Sequence, residues 1–258
     1  MSLEERVAVV TGASTGIGAA VAEALAGRGV RVALAARGMD RLKSTAQALT
    51  AGGAIARAVP CDVTDEDAVE SLRDQVLREL GPVEILINNA GVATSAPLAR
   101  TSLEEWNRLF QVNATGTFLC TRTFLPSMME RGWGRVVNVA SVAGLAAGPY
   151  ISAYAASKHA QIGLTRAAAA EAGPRGVTVN AVCPGYVDTG MTRESAARIA
   201  RRTGRTAEEA LEVLRGQNPQ HRLIQPREVA HAVLALCADD AGGINGQALI
   251  IDGGGRMA

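Results

Sequence analysis

The chain has 258 residues, 48% of them hydrophobic and 20% charged, with a net charge of +1. That is material for a substantial core in one large α/β domain or two small ones, and the near-neutral balance gives neither nucleic acid nor an anionic membrane a global attraction. The four cysteines (Cys61, Cys120, Cys183, Cys237) are scattered, with no CxxC or Cys/His ligand spacing. This predicts reduced, mostly buried thiols, no metal site and a cytoplasmic protein.

The opening MSLEERVAVVTG runs from acidic residues straight into a strand pattern, without the basic and apolar regions of a signal peptide. No stretch approaches the run of about 18 apolar residues that a membrane span requires. From there, short β-branched runs alternate with helix-period segments. VAVV (7–10), VRVAL (30–34), AIARAV (54–59), EILI (84–87), RVVNV (135–139), VTVNAV (177–182) and ALII (248–251) predict seven buried strands. The intervening stretches are amphipathic: over 65–80, Val69, Leu72, Val76 and Leu80 keep one apolar stripe, with Thr64 or Asp65 placed to cap the start. Strand–helix alternation implies βαβ units with right-handed crossovers. The expectation is an α/β fold: a single doubly wound Rossmann domain over residues 1–258, a seven-stranded parallel sheet with helices on both faces. The one long excursion without a strand is 186–225.

Three local patterns carry chemistry. The first strand runs into TGASTGIG (11–18), whose glycines Gly12, Gly16 and Gly18 permit a tight turn and close approach of a pyrophosphate to a helix N-terminus. The same glycines would also allow plain close packing of helix on strand. The second strand ends in LAARG, with Ala36 and Arg37 where NAD-binding domains place an acid for the ribose. An arginine there suits a 2′-phosphate, or is a solvated loop residue. The chain has two lysines against 24 arginines, and one of them, Lys158, stands four residues after Tyr154. On a helix the two share a face, and an ammonium beside a phenol should lower the phenol's pKa.

TGASTGIG, Asp62 after the third strand, NNAG (88–91) after the fourth, Asn113 in a helix, Ser141 after the fifth, Tyr154-x3-Lys158, PG (184–185) after the sixth and DGG (252–254) follow one another in order. This series resembles the short-chain dehydrogenase/reductase family over about residues 5–255. The resemblance implies Asn113, Ser141, Tyr154 and Lys158 as the catalytic residues. Tyr154 would be the general acid in ketone reduction, with its pKa lowered by Lys158, which also bonds the nicotinamide ribose. Ser141 would bond the substrate carbonyl, and Asn113 would hold a water that relays protons to Lys158. The cofactor would lie along Gly12, Ser14, Thr15, Gly16, Ile17, Gly18, Arg37, Asp62, Val63, Asn89, Ala90, Gly91, Pro184, Gly185, Val187 and Thr189, besides Tyr154 and Lys158. NADP(H) is favoured through Arg37, with NAD(H) possible. His159, about 100° round the helix, reads as structural.

The excursion 186–225 would be the substrate lid, with Tyr186 and Met191 at its root; it is similar in length and rhythm to the lids of 3-hydroxybutyrate dehydrogenases and polyketide ketoreductases. Hydroxybutyrate dehydrogenases grip a carboxylate with polar residues where this chain has Ala93, Ala143 and Ile151. An apolar pocket for a neutral ketone or an acyl thioester is therefore expected, not a small hydroxy acid. Alternatives are an NAD-dependent hydroxyacyl-CoA or secondary-alcohol dehydrogenase and, more remotely, a catalytically silent dinucleotide sensor. Residues 190–224 hold seven arginines and four glutamates, either a solvated helix pair or a docking patch for the phosphates of a thioester carrier. By the same resemblance, the helices bearing Asn113 and Tyr154, with Ala155, Ala156, Ala160, Gly163 and Ala167 along 153–172, imply a homotetramer.

Overall fold

Successive residues of a β-strand point to opposite faces, so a strand buried on both sides must be apolar throughout. The computed structural model, which describes residues 3–256, shows that arrangement in the middle of its sheet. The strands are β1 (Val7–Thr11), β2 (Arg31–Ala36), β3 (Ala56–Pro60), β4 (Ile85–Asn88), β5 (Gly134–Val139), β6 (Val177–Pro184) and β7 (Ala248–Ile251). They form one parallel sheet in the order β3-β2-β1-β4-β5-β6-β7. Every residue of β1, β4, β5 and β6 is buried.

The helices are α1 (Gly16–Ala26), α2 (Met39–Ala51), α3 (Glu66–Glu79), α4 (Leu103–Phe110), α5 (Gly116–Arg131), α6 (Ser152–Ala172), α7 (Gly190–Thr203), α8 (Ala207–Arg215) and α9 (Pro226–Cys237). Ala8 and Val10 of β1 join Val32, Leu34, Ile85 and Ile87 in one core with Leu25 of α1, Leu42 of α2 and Val233 of α9. Val7 and Val9 join Leu86, Val136 and Val179 in a second core with Leu72 of α3, Phe124 of α5 and Ala168 of α6. The doubly wound fold expected from the alternation is present. In α3 the stripe Val69, Leu72, Val76 is buried, and the cap is Asp65, whose carboxylate accepts from the Asp67 and Ala68 amides. Thr64 instead bonds Asp62.

The two edge strands depart from the all-buried expectation. Arg57 and Pro60 of β3 are exposed, and Leu249 of β7 is 43% exposed. Each edge has a neighbour on one side only, and β7 is the last element named before the C-terminal turn. Apolar composition therefore overstates burial there.

Between β6 and α9 the chain leaves and returns at one point. Val187 and Ile224 form a parallel bridge, the Ile224 amide donates to the Tyr186 carbonyl (2.9 Å), and the Asp188 amide donates to the Ile224 carbonyl (2.8 Å). The loop so pinned carries α7 and α8, which share a small core of Ala196, Ala210 and Leu214 separate from the sheet's cores. Its base is tied to α9 by Arg222, which donates both guanidinium arms to the two Glu228 oxygens at 2.7 Å. Among the described residues no helix is long and apolar enough to cross a membrane, and no group of His, Cys, Asp and Glu is arranged to hold a metal.

The Arg222 hydrogen bond holds the Glu228 carboxyl at about 2, against an ordinary 4.5. A carboxyl depressed on folding stabilises the fold above its unfolded pKa and loses that contribution as pH falls toward its folded one. Glu228→Gln should therefore lower stability at pH 7 by about 1 kcal/mol or less, since the pair is partly exposed. The deficit should shrink between pH 4.5 and about 2. Urea midpoints of both proteins across that range check this; a deficit that does not change with pH would show that the ion pair contributes nothing.

Candidate active site

The strand order reverses between β1 and β4, so the connections leave those strands in opposite directions and open a crevice at their C-terminal ends. The glycine turn and NNAG face each other across it. Gly12 has a φ of +63°, and a Cβ there would lie 2.9 Å from Ala90 Cα. At Gly18 a Cβ would lie 2.4 Å from the Gly12 carbonyl oxygen and from Asn89 Nδ2. The Asn89 amide donates to the carbonyls of Thr11 (2.9 Å) and Gly12 (3.1 Å), while Thr11 Oγ1 accepts from the backbone N–H of Asn89 and Ala90, both at 3.0 Å. Asn89 and Ala90 thus lock the two turns together.

Helix α1 begins at Gly16 with a bare end: its N-cap, Thr15, makes no side-chain capping bond, and no acid lies in the first turn. N–H groups and dipole at such an end favour an anion. Ser14 uses its carbonyl to hold Thr45 (3.4 Å), Ile17 packs on the core, and a Cβ on Gly16 would lie 3.1 Å from Thr189 Cγ2. This cradle without side chains fits a dinucleotide pyrophosphate. At its rim Asp62 Oδ1 accepts from the Thr64 amide (3.0 Å) and hydroxyl (2.8 Å). Burial opposes ionisation of Asp62, yet the Thr64 bonds and Arg37 hold its carboxyl below the usual range. Arg37 is 72% exposed and stands 3.9 Å from Asp62 Oδ2. Val63 is buried, at a distance from Gly116 that leaves no room for a Cβ there.

Ser141, Tyr154, Lys158 and Asn113 converge beside this cradle. Ser141 follows β5, and its Oγ accepts from the Ala143 amide (3.1 Å), which leaves the hydroxyl proton to point elsewhere. Lys158 is 4% exposed; its Nζ donates to the Val139 carbonyl and to Gln161 Oε1, both at 2.9 Å, and sits 5.9 Å from the centroid of the Tyr154 ring. Asn113 lies in a π-helical turn, Gln111–Thr115, between α4 and α5. Its side chain is fully engaged: Oδ1 accepts from the Val92 amide (2.8 Å), and Nδ2 donates to the Val92 carbonyl and to Ser157 Oγ, each at 3.0 Å. A Cβ on Gly91 would lie 3.3 Å from Asn113 Oδ1 and 3.7 Å from Lys158 Nζ, so NNAG abuts the same cluster.

The expected depression of the Tyr154 pKa is not found. Burial pushes the phenol up, a hydrogen bond from Ser141 opposes this, and Tyr186 and Cys183 add to the rise. Lys158 itself is pushed down to about 8 by burial. Shared helix spacing put the two residues on one face, but the ammonium turns toward Val139 and Gln161.

Residues 6–200 match the short chain dehydrogenase family. The chain belongs to that family. Among curated relatives it is 39% identical to the 3-oxoacyl acyl-carrier-protein reductase of Vibrio cholerae, over 100% of both chains. It is 38% identical to a putative ketoacyl reductase of Streptomyces coelicolor (97% of each) and 36% identical to a D-beta-hydroxybutyrate dehydrogenase of Rhizobium meliloti (96% of this chain, 98% of the relative). A solved actinorhodin polyketide ketoreductase with NADPH superposes with a TM-score of 0.94 at 37% identity, covering 98% of both chains. This short-chain dehydrogenase is an oxidoreductase moving a hydride between a nicotinamide cofactor and a ketone or secondary alcohol.

Of the residues expected to line the substrate pocket, Ala143 is buried, Ala93 and Ile151 are half-buried, and Tyr186 and Met191 are 39% and 40% exposed. Pro184 ends β6, Gly185 donates its amide to Ile251 (3.0 Å), and Val187 sits buried in the bridge to Ile224. His159 is exposed, its ring nitrogen against its own helix at Ala155 O. The α7 end reaches the crevice wall, where Arg202 donates to the Ser95 carbonyl (2.7 Å).

Of the seven arginines in 190–224, three are ion-paired, Arg193 with Asp188, Arg215 with Glu208 and Glu212, and Arg222 with Glu228. All four cysteines are free and buried.

Sequence reading missed four residues. Thr11 ties the two turns together, and its only mark was its place before Gly12. Tyr150 holds a left-handed φ of +69° and accepts the Ala96 amide (2.8 Å) at the crevice mouth. Gln161 and Thr117 contact the cluster from within; their signal was a polar residue where a helix face should be apolar.

Proposed function

We propose that this enzyme reduces a neutral hydrophobic ketone or a 3-oxoacyl thioester with NADPH, and that Asn113, Ser141, Tyr154 and Lys158 are its catalytic residues. What carries the reading is Tyr154 between Ser141 and Lys158 at the mouth of the bare glycine cradle. A phenol whose pKa is raised by burial keeps its proton at neutral pH, the state a general acid needs to protonate a carbonyl oxygen. The Ser141 hydroxyl, which bonds the Tyr154 phenol here, would turn its proton to that oxygen and stabilise it as it gains negative charge. Lys158 spends two N–H groups on Val139 and Gln161, leaving the third for the cofactor ribose, while its charge offsets the phenolate left after proton transfer. With the Asn113 side chain occupied, a relay water at this residue would be held by the lone pair its backbone carbonyl keeps beside the Thr117 hydroxyl. When bound, the nicotinamide supplies the hydride.

Ala93, Ala143 and Ile151 offer no polar partner to a carboxylate, whose burial unpaired would cost several kcal/mol. This argues against a small hydroxy acid, although one relative is named for hydroxybutyrate. We assign 186–225 as the substrate lid, supported by its separate core, its pinned ends and the Arg202–Ser95 contact. For the cofactor, Ala36 removes the charge that would repel a 2′-phosphate, and Arg37 lies exposed at the rim.

Assembly as a homotetramer is supported by exposed apolar surface on three elements. Phe118 of α5, Leu249 of β7 and Ile244 before it are each 43% exposed, and Gly163 of α6 is open to solvent beside Ala167.

Tyr154→Phe keeps the ring and removes the proton, so turnover of ketones or of coenzyme A thioesters should fall by about 10² or more, with NADPH binding intact. Retention of more than about a tenth of the activity would overturn the assignment of Tyr154. For the cofactor, kcat/KM with NADPH should exceed that with NADH by about tenfold or more, the scale of one charge-assisted phosphate contact. Ala36→Asp combined with Arg37→Ile should reverse the preference; a wild type preferring NADH would refute the role of Arg37. Light scattering at micromolar concentration should give a tetramer mass, and a monomer mass would refute the assembly.

A further inference from the structure

Gln161 is fully buried, three residues beyond Lys158 on the same face of α6. Burying a primary amide is costly unless both ends are bonded, and here both are. Nε2 donates to Thr117 Oγ1 (2.8 Å), the Thr117 hydroxyl donates to the Asn113 carbonyl (2.9 Å), and Oε1 accepts from Lys158 Nζ (2.9 Å). The direction of this chain is forced. Thr117 has given its one proton to Asn113, so it can only accept from Gln161, and the amide oxygen must face the lysine. The Gln161 backbone is held as well, because Thr165 Oγ1 donates to its carbonyl (2.8 Å) and accepts from Asn138 Nδ2 (2.8 Å).

We propose that Gln161 is a positioning residue for Lys158, its amide oxygen fixing the ammonium in place and in its charged form, with Thr117 fixing the amide. The inference rests on the catalytic reading of Lys158 given above. Burial favours the neutral amine, and an acceptor bonded to the ammonium opposes that. Val139 O and Gln161 Oε1 are the two acceptors bonded to it. Removal of one should leave the charged form less favoured than the value of about 8 in the intact site.

The titratable groups facing Lys158 are few. Tyr154 lies on its own helix, and Cys183 on β6 is pushed up by burial to about 11 and so neutral over the working range. Tyr186, beyond β6, is likewise raised by burial and faces Tyr154. Arg166, on α6, acts on Cys183. From β5, the π-turn and α5, the contacts are the uncharged Val139, Asn113 and Thr117. On α4 and α5, Arg108 pairs with Glu105 and Arg122 with Glu66.

The test is the pH profile of kcat/KM for ketone reduction, with NADPH affinity measured by fluorescence at each pH. In Gln161→Leu the alkaline limb should move down by about one pH unit, a tenfold change in the lysine's proton affinity. NADPH affinity should begin to fall at the same lower pH. Gln161→Glu, which keeps an acceptor at that position, should restore the limb to the wild-type pH or above. A limb that stays put in Gln161→Leu would make the residue a bridge between α6 and α5 and overturn the proposal. If Gln161→Leu does not fold, Thr117→Val unhinges the amide without removing it. It should move the limb the same way by a smaller amount, and an unmoved limb there is equally fatal. Tyr154→Phe separates the two readings: if that variant stays active the catalytic assignment has failed, whereas an inactive Tyr154→Phe beside an unmoved limb refutes the role of Gln161 alone.

Discussion

A single cation buried beside a phenol organises this crevice. Lys158 is 4% exposed, and a charge in such a place persists only with hydrogen-bond acceptors around it. The last residue of β5 supplies one acceptor and the next turn of α6 the other, so strand, helix and lysine are fixed relative to one another. The same strand end delivers Ser141, and the same helix turn carries Tyr154. Placing the ammonium therefore places Tyr154 and Ser141 with it.

The buried polar network extends well beyond the lysine. Asn88 at the end of β4 donates to Asn138 Oδ1 (2.8 Å), Asn138 donates to Thr165, and Thr165 donates to Gln161. From Gln161 the chain passes to Thr117 and the carbonyl of Asn113, whose side chain holds Val92 just past NNAG. Every step except Thr165 to Gln161, which lies within α6, joins two different elements. A buried network of this kind selects one arrangement of strands and helices more sharply than apolar packing does. It also explains how a crevice built from the ends of separate strands keeps its spacing without a covalent staple. Among the described residues, Asn88 Oδ1 and Thr178 Oγ1 are buried without a hydrogen-bond partner.

The glycine cradle and the α7–α8 segment obey different constraints. At the cradle, backbone approaches backbone so closely that Gly18 cannot carry a methyl. It is a surface of closely packed backbone. The segment α7–α8 keeps a core of its own and touches the rest chiefly at its pinned base and through Arg202. Elements with few shared apolar contacts open at low free energy.

Much of this was legible from residues in order. Strand runs and helix stripes determined the doubly wound sheet, because burial on both faces demands apolar strands and one-sided burial demands a 3.6-residue stripe. The glycine turn, NNAG, Ser141 and the Tyr154–Lys158 pair were visible because their spacing is local or their order along the chain is distinctive. Three things were decided only by the tertiary structure. Exposure of β3 and β7 depends on what lies beside them in the sheet, which composition does not encode. The rise of the Tyr154 pKa depends on burial and on where the lysine turns, not on helix spacing. The partnership of Gln161 with Lys158 and Thr117 joins residues 44 apart in sequence. A pattern of neighbours along one chain cannot announce a hydrogen bond whose two ends meet only after α5 and α6 have packed.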